Sequence, residues 1–201
     1  MAVITISRQL GSLGTTLGNL IAGRLGYRLV HREIINQAAR LAGDPELALA
    51  TIDELGLLGI EPDKAHQDAY LRAVQKVIVD LADMGQIIIV GRAGQTILRD
   101  RPGVFHLRVV APVEIRIERI VEAHGVSTEA ARAQVNDSDC YRRGYLQRFY
   151  NVNWEDPTLY HLVINTGYID LEDAADVVCA TIYDQSNSSN QENKTQEPHL
   201  E

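Results

Sequence analysis

The chain alternates short apolar segments with longer segments that have the periodicity of helices. Five segments have the length and composition of buried strands: VITIS (3–7), YRLV (27–30), QIIIV (86–90), VFHLRVV (104–110) and YHLVIN (160–165). QIIIV has the apolar character expected of a central parallel strand. Because helical segments separate the strands, successive strands should run parallel with right-handed connections. The sequence therefore predicts an α/β fold, a parallel sheet of about five strands with helices on both faces.

Capping residues mark the ends of several predicted helices. Residues 15–25 have apolar side chains at helical spacing, and Gly26 follows as a C-terminal cap. Ser127 or Thr128 opens a long helix that ends near residue 150. Asp170 caps a closing helix. These boundaries alternate helices with strands along the chain.

Composition limits the partners of the chain. A formal net charge of −8 argues against a general nucleic-acid-binding surface, because such a surface needs an excess of basic residues. We find no apolar segment long enough for a membrane span. Cys140 and Cys179 form neither a disulfide framework nor a metal knuckle, so a reducing cytoplasm is the expected location. We expect one domain over residues 1–184 and a disordered polar tail over residues 185–201.

A glycine-rich turn, SRQLGSLGTT (7–16), joins the first strand to the first helix. Phosphate-binding loops of the pattern G-x-x-x-x-G-K-[ST] hold phosphate with backbone N–H groups at such a turn. When the strands are matched, Arg8 and Leu13 stand at the two glycine positions. Gly14 then takes the lysine position and Thr15 the position of the Mg²⁺ ligand. The pattern is incomplete, so an ordinary turn with a threonine cap is the open alternative.

Arginines from later segments are expected at the same edge of the sheet. Gly91-Arg92 directly follows a predicted strand, and parallel sheets bind ligands at the carboxyl ends of their strands. The helices that follow carry Arg116, Arg119, Arg142 and Arg143, with tyrosines interleaved among the last two. Such an arrangement suits phosphate binding and base stacking. The alternatives are a turn with a solvated arginine and a surface helix with Asp–Arg pairs.

The segment His31-Arg32-Glu33 follows the second predicted strand. It is compatible with a catalytic pair, or with a helix start that has a favourable acidic residue near its N-terminus. The remaining histidines show no metal-ligand spacing.

The order and spacing of these segments resemble the cytidylate kinase-like family, a branch of the P-loop nucleoside monophosphate kinases. The resemblance covers about residues 2–183 and is carried by ITISRQLGSLGTT, LGYRLVHREII, IIIVGRAGQTIL, VFHLRVVAPVEIRIERI, DSDCYRRGYLQRFY and LYHLVINT. It implies a three-layer P-loop kinase-type sheet with a helical lid at about residues 116–158. It also implies an acceptor-binding flap at about residues 31–63.

The resemblance implies transfer of the γ-phosphoryl group of ATP to a nucleoside monophosphate or a similar small acceptor, with Mg²⁺. The residues that would cradle the donor phosphates are Gly11, Ser12, Gly14, Thr15 and Thr16, with Thr15 facing the metal. Those that would bind the acceptor are Arg32, Gly91 and Arg92. The catalytic arginines would be Arg116, Arg119, Arg142 and Arg143, which neutralise charge, and Arg8, which replaces the missing lysine. The expected partners are small nucleotides, and the expected state is a monomer or homodimer.

Two departures from authentic cytidylate kinases support a second hypothesis. Those enzymes have the loop lysine and Gly-Arg-Asp at the end of the central strand, and this sequence has Gly14 and Ala93 at those places. Losing one oriented cation or polar contact commonly costs on the order of 10²–10³ in rate. The alternative function is therefore a nucleotide-binding regulatory module with little or no catalysis.

Overall fold

The structure is a computed structural model that describes residues 2–31, 33, 34, 37, 38, 41 and 64–194. The expected acceptor-binding flap lies largely outside these residues. The described elements are, in chain order, β1 (Val3–Arg8), α1 (Gly14–Leu25), β2 (Arg28–Val30), α2 (Lys64–Met84), β3 (Ile87–Val90), α3 (Gly94–Ile97), β4 (Val104–Val110), α4 (Val113–His124), α5 (Thr128–Tyr150), a 3₁₀ turn (Pro157–Leu159), β5 (Leu162–Asn165) and α6 (Leu171–Lys194).

The five strands form one sheet in the order β2-β3-β1-β4-β5, and every pairing is parallel. This confirms the predicted α/β architecture. The middle strand is β1 and not β3, which the apolar sequence QIIIV suggested as central. β3 lies beside it and is buried along its whole length. The chain connects β1 first to strands on one side and later to strands on the other, and ligands bind such sheets where the connections diverge.

Helices cover both faces of the sheet. Ile87 and Ile89 of β3 pack with α2 on one face, where α2 contributes buried side chains such as Tyr70 and Val74. The alternate residue Ile88 faces the other layer, which is formed by α1 and α6. Side chains alternate across a strand with a period of two, so a strand that is apolar throughout serves both layers. The three-layer organisation follows directly from this pattern.

α4 and α5 form a separate helical pair beside the sheet. Ile117 and Ile120 of α4 pack against Ala131 and Val135 of α5. Ser127 caps α5 by accepting a hydrogen bond from the backbone N–H of Ala130 at 3.2 Å, as predicted. This pair occupies the region that the family resemblance assigns to the lid.

The last turns of α5 lie against the carboxyl edge of the sheet. Leu146 of α5 and Trp154, in the segment that follows, pack on Ala93 in the turn after β3. α5 therefore brings its own polar side chains to the turns that follow β1 and β3.

α6 begins after Asp170, whose carboxylate accepts the backbone N–H of Asp173 at 2.9 Å, so the predicted cap is confirmed. The helix continues to Lys194, well past the point where the sequence predicts a disordered tail to begin. Residues 195–201 lie outside the described residues. Among the helices described, none combines the length and the apolar character that a membrane crossing requires.

Candidate functional site

The turn between β1 and α1 is held in an unusual backbone conformation. Gly11 and Leu13 both have positive φ, at 77° and 58°. Leu13 occupies the position of the second loop glycine, and a branched residue adopts left-handed φ only at an energetic cost. No side chain caps α1, so the alternative of a threonine-capped turn is not what forms. The first N–H groups of α1 are therefore available to water or to an anionic ligand.

The missing lysine has a steric explanation. A Cβ atom built on Gly14 would lie 2.5 Å from Cβ of Arg8 and 3.1 Å from Cβ of Val109. A side chain at position 14 therefore cannot begin there while Arg8 holds its place. The side chain that fills the space beside Gly14 is that of Arg8, which starts at the end of β1.

Arg8 extends across the carboxyl ends of three strands. A Cβ atom on Gly91 would lie 2.7 Å from Nη1 of Arg8, so the guanidinium passes close to the end of β3, and the φ of 82° at Gly91 favours glycine there. Nη2 of Arg8 lies 2.6 Å from Nε2 of His31, directly after β2. The guanidinium is therefore held at a defined position over the sheet edge.

A cavity of about 100 Å³ opens beside this arginine. Its polar lining residues are Ser7, Arg8, His31, Arg92, Gln95, Tyr141, Arg142 and Tyr145. None of the described lining residues is acidic. Gln95 is 2% exposed, and within the described part of the chain its Nε2 has no hydrogen-bond partner. A buried donor of this kind is typical of a site that a ligand completes, and three arginines favour an anionic one.

The turn after β3 directs Arg92 into the cavity. Gly91, Arg92 and Ala93 have φ of 82°, 55° and 58°, three consecutive residues in the left-handed region. Each non-glycine residue in this region costs roughly 1–3 kcal/mol, and such strain concentrates at ligand sites. Ala93 is buried against Leu146 and Trp154, which holds the turn in place.

α5 supplies Arg142 to the cavity but directs Arg143 elsewhere. Arg143 is exposed and donates to the carboxylate of Glu155 at 2.9 Å. This hydrogen bond raises the pKa of Arg143 and lowers that of Glu155. Tyr145 also lines the cavity, and burial raises its pKa well above the ordinary value, so the phenol stays neutral there.

Arg116 and Arg119 lie beneath the glycine loop and do not line the cavity. Arg116 forms a two-pronged ion pair with Asp139, with N–O distances of 2.9 and 3.2 Å. Arg119 donates to the carbonyl of Gly11 at 3.2 Å and to the carbonyl of Thr166 at 2.7 Å. The charge-neutralising role implied by the family resemblance stays a prediction for both.

The hydroxyl groups of the loop differ in their availability. Ser12 is fully buried, and its hydroxyl donates to the carbonyl of Gln9 at 2.9 Å. Thr15 is half-buried and Thr16 exposed, both in the first turn of α1. Within the described ranges no three His, Cys, Asp or Glu side chains come together as a metal site. Mg²⁺ commonly takes most of its ligands from substrate phosphates and water, and the hydroxyl of Thr15 fits one remaining position.

The segment after β2 favours the helix-start interpretation of His31-Arg32-Glu33. The carboxylate of Glu33 accepts the backbone N–H of His31 at 3.1 Å, and this bond is the main cause of its lowered pKa. Nε2 of the His31 ring contacts Nη2 of Arg8. Arg32, expected to bind the acceptor, lies outside the described residues.

Sequence reasoning missed a buried cation under the site. Arg108 is 5% exposed, lies 4.4 Å from the ring centroid of Trp154 and donates to the Trp154 carbonyl. Nε1 of Trp154 in turn donates to Oγ of Ser7 at 2.8 Å. The cluster fastens the segment after α5 to the end of β1. An arginine inside the otherwise apolar strand VFHLRVV was the signal that could have revealed it.

Two cytidylate kinases are similar to this chain over most of its length. The chain is 26% identical over 180 residues to a cytidylate kinase of Pyrococcus horikoshii, covering 90% of this chain and 88% of that protein. It is 28% identical over 181 residues to a cytidylate kinase of Methanoregula boonei, covering 89% and 93%.

Solved structures support the fold. An uncharacterised protein of Eubacterium ventriosum matches with a TM-score of 0.71 at 21% identity, covering 90% of this chain and 98% of that one. Shikimate kinase of Acinetobacter baumannii matches with a TM-score of 0.53 at 16% identity, covering 92% and 94%. At these identities the likeness concerns the fold alone. The model of the cytidylate kinase-like family matches residues 3–168, and the chain belongs to that family.

Proposed function

We propose that this protein transfers the γ-phosphoryl group of ATP to a nucleoside monophosphate or a similar small acceptor, with Mg²⁺. The observation that carries the proposal is the cavity lined by Arg8, Arg92 and Arg142 beside the uncapped start of α1. Phosphoryl transfer requires positioning and cations more than covalent chemistry from the protein. A site with three guanidinium groups, and no carboxylate among its described lining residues, is suited to that task.

The donor phosphates would lie at the glycine loop. Backbone N–H groups of Gly11, Gly14, Thr15 and Thr16 would hold their oxygens at the positive end of α1. Ser12 shapes the turn, since its hydroxyl is engaged by Gln9. When bound with the nucleotide, Mg²⁺ neutralises charge on the phosphate oxygens, and the hydroxyl of Thr15 would be its ligand from the protein.

Arg8 would take the role of the loop lysine. It begins at the end of β1 and passes over Gly91, between the loop and the turn that carries Arg92. Its planar fork can bind two phosphate oxygens at once. The contact with His31 restricts the side chain before substrate arrives, which lowers the entropic cost of binding.

The acceptor phosphate would bind Arg92 near the backbone of Gly91, with Arg32 as a further proposed contact. Arg142 of α5 also lines the cavity, where it would neutralise charge on the transferring group. The buried amide of Gln95 offers a donor to the acceptor molecule. The cytoplasmic location and the monomeric or dimeric state remain proposals.

A coupled ADP-release assay with Mg²⁺·ATP and a panel of acceptors tests the proposal. The panel should include the common ribo- and deoxyribonucleoside monophosphates, together with sugar-like acceptors. We expect turnover well above the ATPase background with at least one of them. Nucleotide binding without turnover on any acceptor would instead support the regulatory module. That alternative is motivated by the absence of a lysine at position 14 and of an acidic residue at position 93.

A further inference from the structure

Three side chains that do not line the cavity donate hydrogen bonds to backbone carbonyls of the glycine loop. We propose that Arg116, Arg119 and Thr166 form a carbonyl clamp, a set of positioning residues that orients the loop N–H groups toward a bound triphosphate. This inference rests on the proposed function, because it concerns the same donor site. It assigns a role to Thr166, which lies outside the glycine loop, and a positioning role to two arginines expected to contact the transferring group.

Three consecutive loop carbonyls accept hydrogen bonds from the clamp. The carbonyl of Leu10 accepts from Nη1 of Arg116 at 3.4 Å, and that of Gly11 accepts from Nη1 of Arg119 at 3.2 Å. The carbonyl of Ser12 accepts from Oγ1 of Thr166 at 2.8 Å. The shortest of the three bonds is therefore made by a neutral side chain.

Because the peptide unit is planar, a hydrogen bond that fixes a carbonyl also fixes the direction of the next residue's N–H group. In a trans peptide the C=O group of one residue and the N–H group of the next point in opposite directions, and the chain has no cis peptide among its described residues. Holding the carbonyls of Leu10 and Ser12 therefore turns the N–H groups of Gly11 and Leu13 away from the clamp. The N–H between them, from Ser12, returns to the carbonyl of Gln9 at 3.4 Å. The clamp thus fixes the orientation of donors that phosphate would need.

The clamp is anchored to rigid structure. Thr166 is 5% exposed and follows β5, and its backbone N–H donates to the carbonyl of Val110 in β4 at 3.0 Å. Arg119 donates to both the hydroxyl and the carbonyl of Thr166, at 3.1 and 2.7 Å. The loop is therefore positioned by the sheet edge and by α4 together.

Close packing between Gly11 and Arg116 is a second indication that the clamp positions the loop. A Cβ atom on Gly11 would lie 2.7 Å from the carbonyl oxygen of Arg116 and 2.9 Å from its Cβ. Only glycine lets the loop backbone approach α4 this closely, and its positive φ adds to the requirement.

The clamp also connects the loop to the cavity helix. Arg116 pairs with Asp139 of α5, and Asp139 stands one helical turn before Arg142. The helix that presents Arg142 to the cavity is thereby held in register with the donor loop.

Three variants test the role of Thr166. Thr166→Val keeps the side-chain volume and removes the hydroxyl, whereas Thr166→Ser keeps the hydroxyl and removes a buried methyl group. The matched control is Thr181→Val, which deletes a hydroxyl that also donates to a backbone carbonyl at 2.8 Å, but on α6. The measurement is the Kd for Mg²⁺·tripolyphosphate by calorimetry, with the melting temperature of each variant alongside.

We expect Thr166→Val to weaken tripolyphosphate binding about fivefold, the effect of one hydrogen bond. Thr166→Ser should bind more tightly than Thr166→Val even where it melts lower, which a purely structural role would not produce. Equal Kd values for Thr166→Val and Thr181→Val, or no binding by the wild-type chain, would overturn the inference. Normal turnover with an unchanged Kd would overturn it while leaving the proposed function standing. Tripolyphosphate binding that Thr166→Val weakens, with no turnover on any acceptor, would overturn the proposed function and leave this inference standing.

Discussion

Nη2 of Arg8 lies 2.6 Å from Nε2 of His31, a contact that joins the end of β1 to the residue after β2. A guanidinium group can only donate, so Nε2 of His31 accepts and the ring carries its proton on Nδ1. His31 is thus a neutral partner, and this contact does not offset the charge of the arginine. A carboxylate in the place of His31 would compete with phosphate for the N–H donors of the Arg8 guanidinium.

Arg8 and Gly14 should behave as a coupled pair. Gly14→Lys, which introduces the lysine of the phosphate-binding loop pattern, should lose both stability and ATP binding, because its Cβ would lie 2.5 Å from that of Arg8. The double variant Arg8→Gly with Gly14→Lys removes the collision and should recover part of both. Denaturant unfolding and ATP calorimetry on the wild type, Arg8→Gly, Gly14→Lys and the double variant measure the coupling. Additive effects of the two substitutions would contradict the steric explanation.

Arg92 should govern the acceptor and not ATP. Arg92→Lys keeps the charge but loses the planar fork, so the KM of the acceptor should rise while the KM of ATP changes little. Steady-state kinetics with each substrate varied in turn provide the measurement. The control is Arg132→Lys on the exposed face of α5, where Arg132 pairs with Glu114. Equal increases in both KM values for Arg92→Lys would remove the assignment.

His106 should make stability depend on pH. Burial and, secondarily, the nearby His161 lower its pKa from 6.5 to about 4. The unfolded chain takes up a proton near pH 6.5 and the folded chain does not until about pH 4, so stability is retained above pH 6.5 and lost as the pH falls. Between pH 7 and pH 5 the loss from this residue should be on the order of 2 kcal/mol.

Urea unfolding at the two pH values checks this dependence. His106→Gln should show a smaller loss of stability between pH 7 and pH 5 than the wild-type chain, whatever its stability at pH 7. His124→Gln, at the exposed end of α4, is the control and should keep the wild-type difference. The same pH difference in all three proteins would refute the assignment to His106.

Local and periodic signals predicted most of the fold. The strands follow from apolar segments, and the ends of α1, α5 and α6 follow from Gly26, Ser127 and Asp170, since capping depends on residues adjacent in sequence. The position of Arg92 at the sheet edge followed from topology alone. α6 is longer than predicted because a polar composition does not by itself end a helix.

The site could be predicted only in part, because its geometry depends on contacts between distant residues. A side chain at position 14 would collide with Arg8. This collision depends on the backbone conformation at Leu13, which no pattern of residue types specifies. Arg116 and Arg119 have the helical spacing of exposed arginines, yet they contact the glycine loop. The pairing of Arg108 with Trp154 spans 46 residues and depends on where α5 ends.

In the proposed function, a guanidinium from β1 replaces the ammonium of a phosphate-binding loop. The most direct measurement is kcat/KM for ATP in Arg8→Ala, with the melting temperature recorded and Arg132→Ala as the surface control. We predict a fall on the order of 10²–10³, no comparable change for the control, and a melting temperature close to that of the wild-type chain. An Arg8→Ala protein that uses ATP as well as the wild type, or one that loses activity only because it unfolds, would contradict the claim.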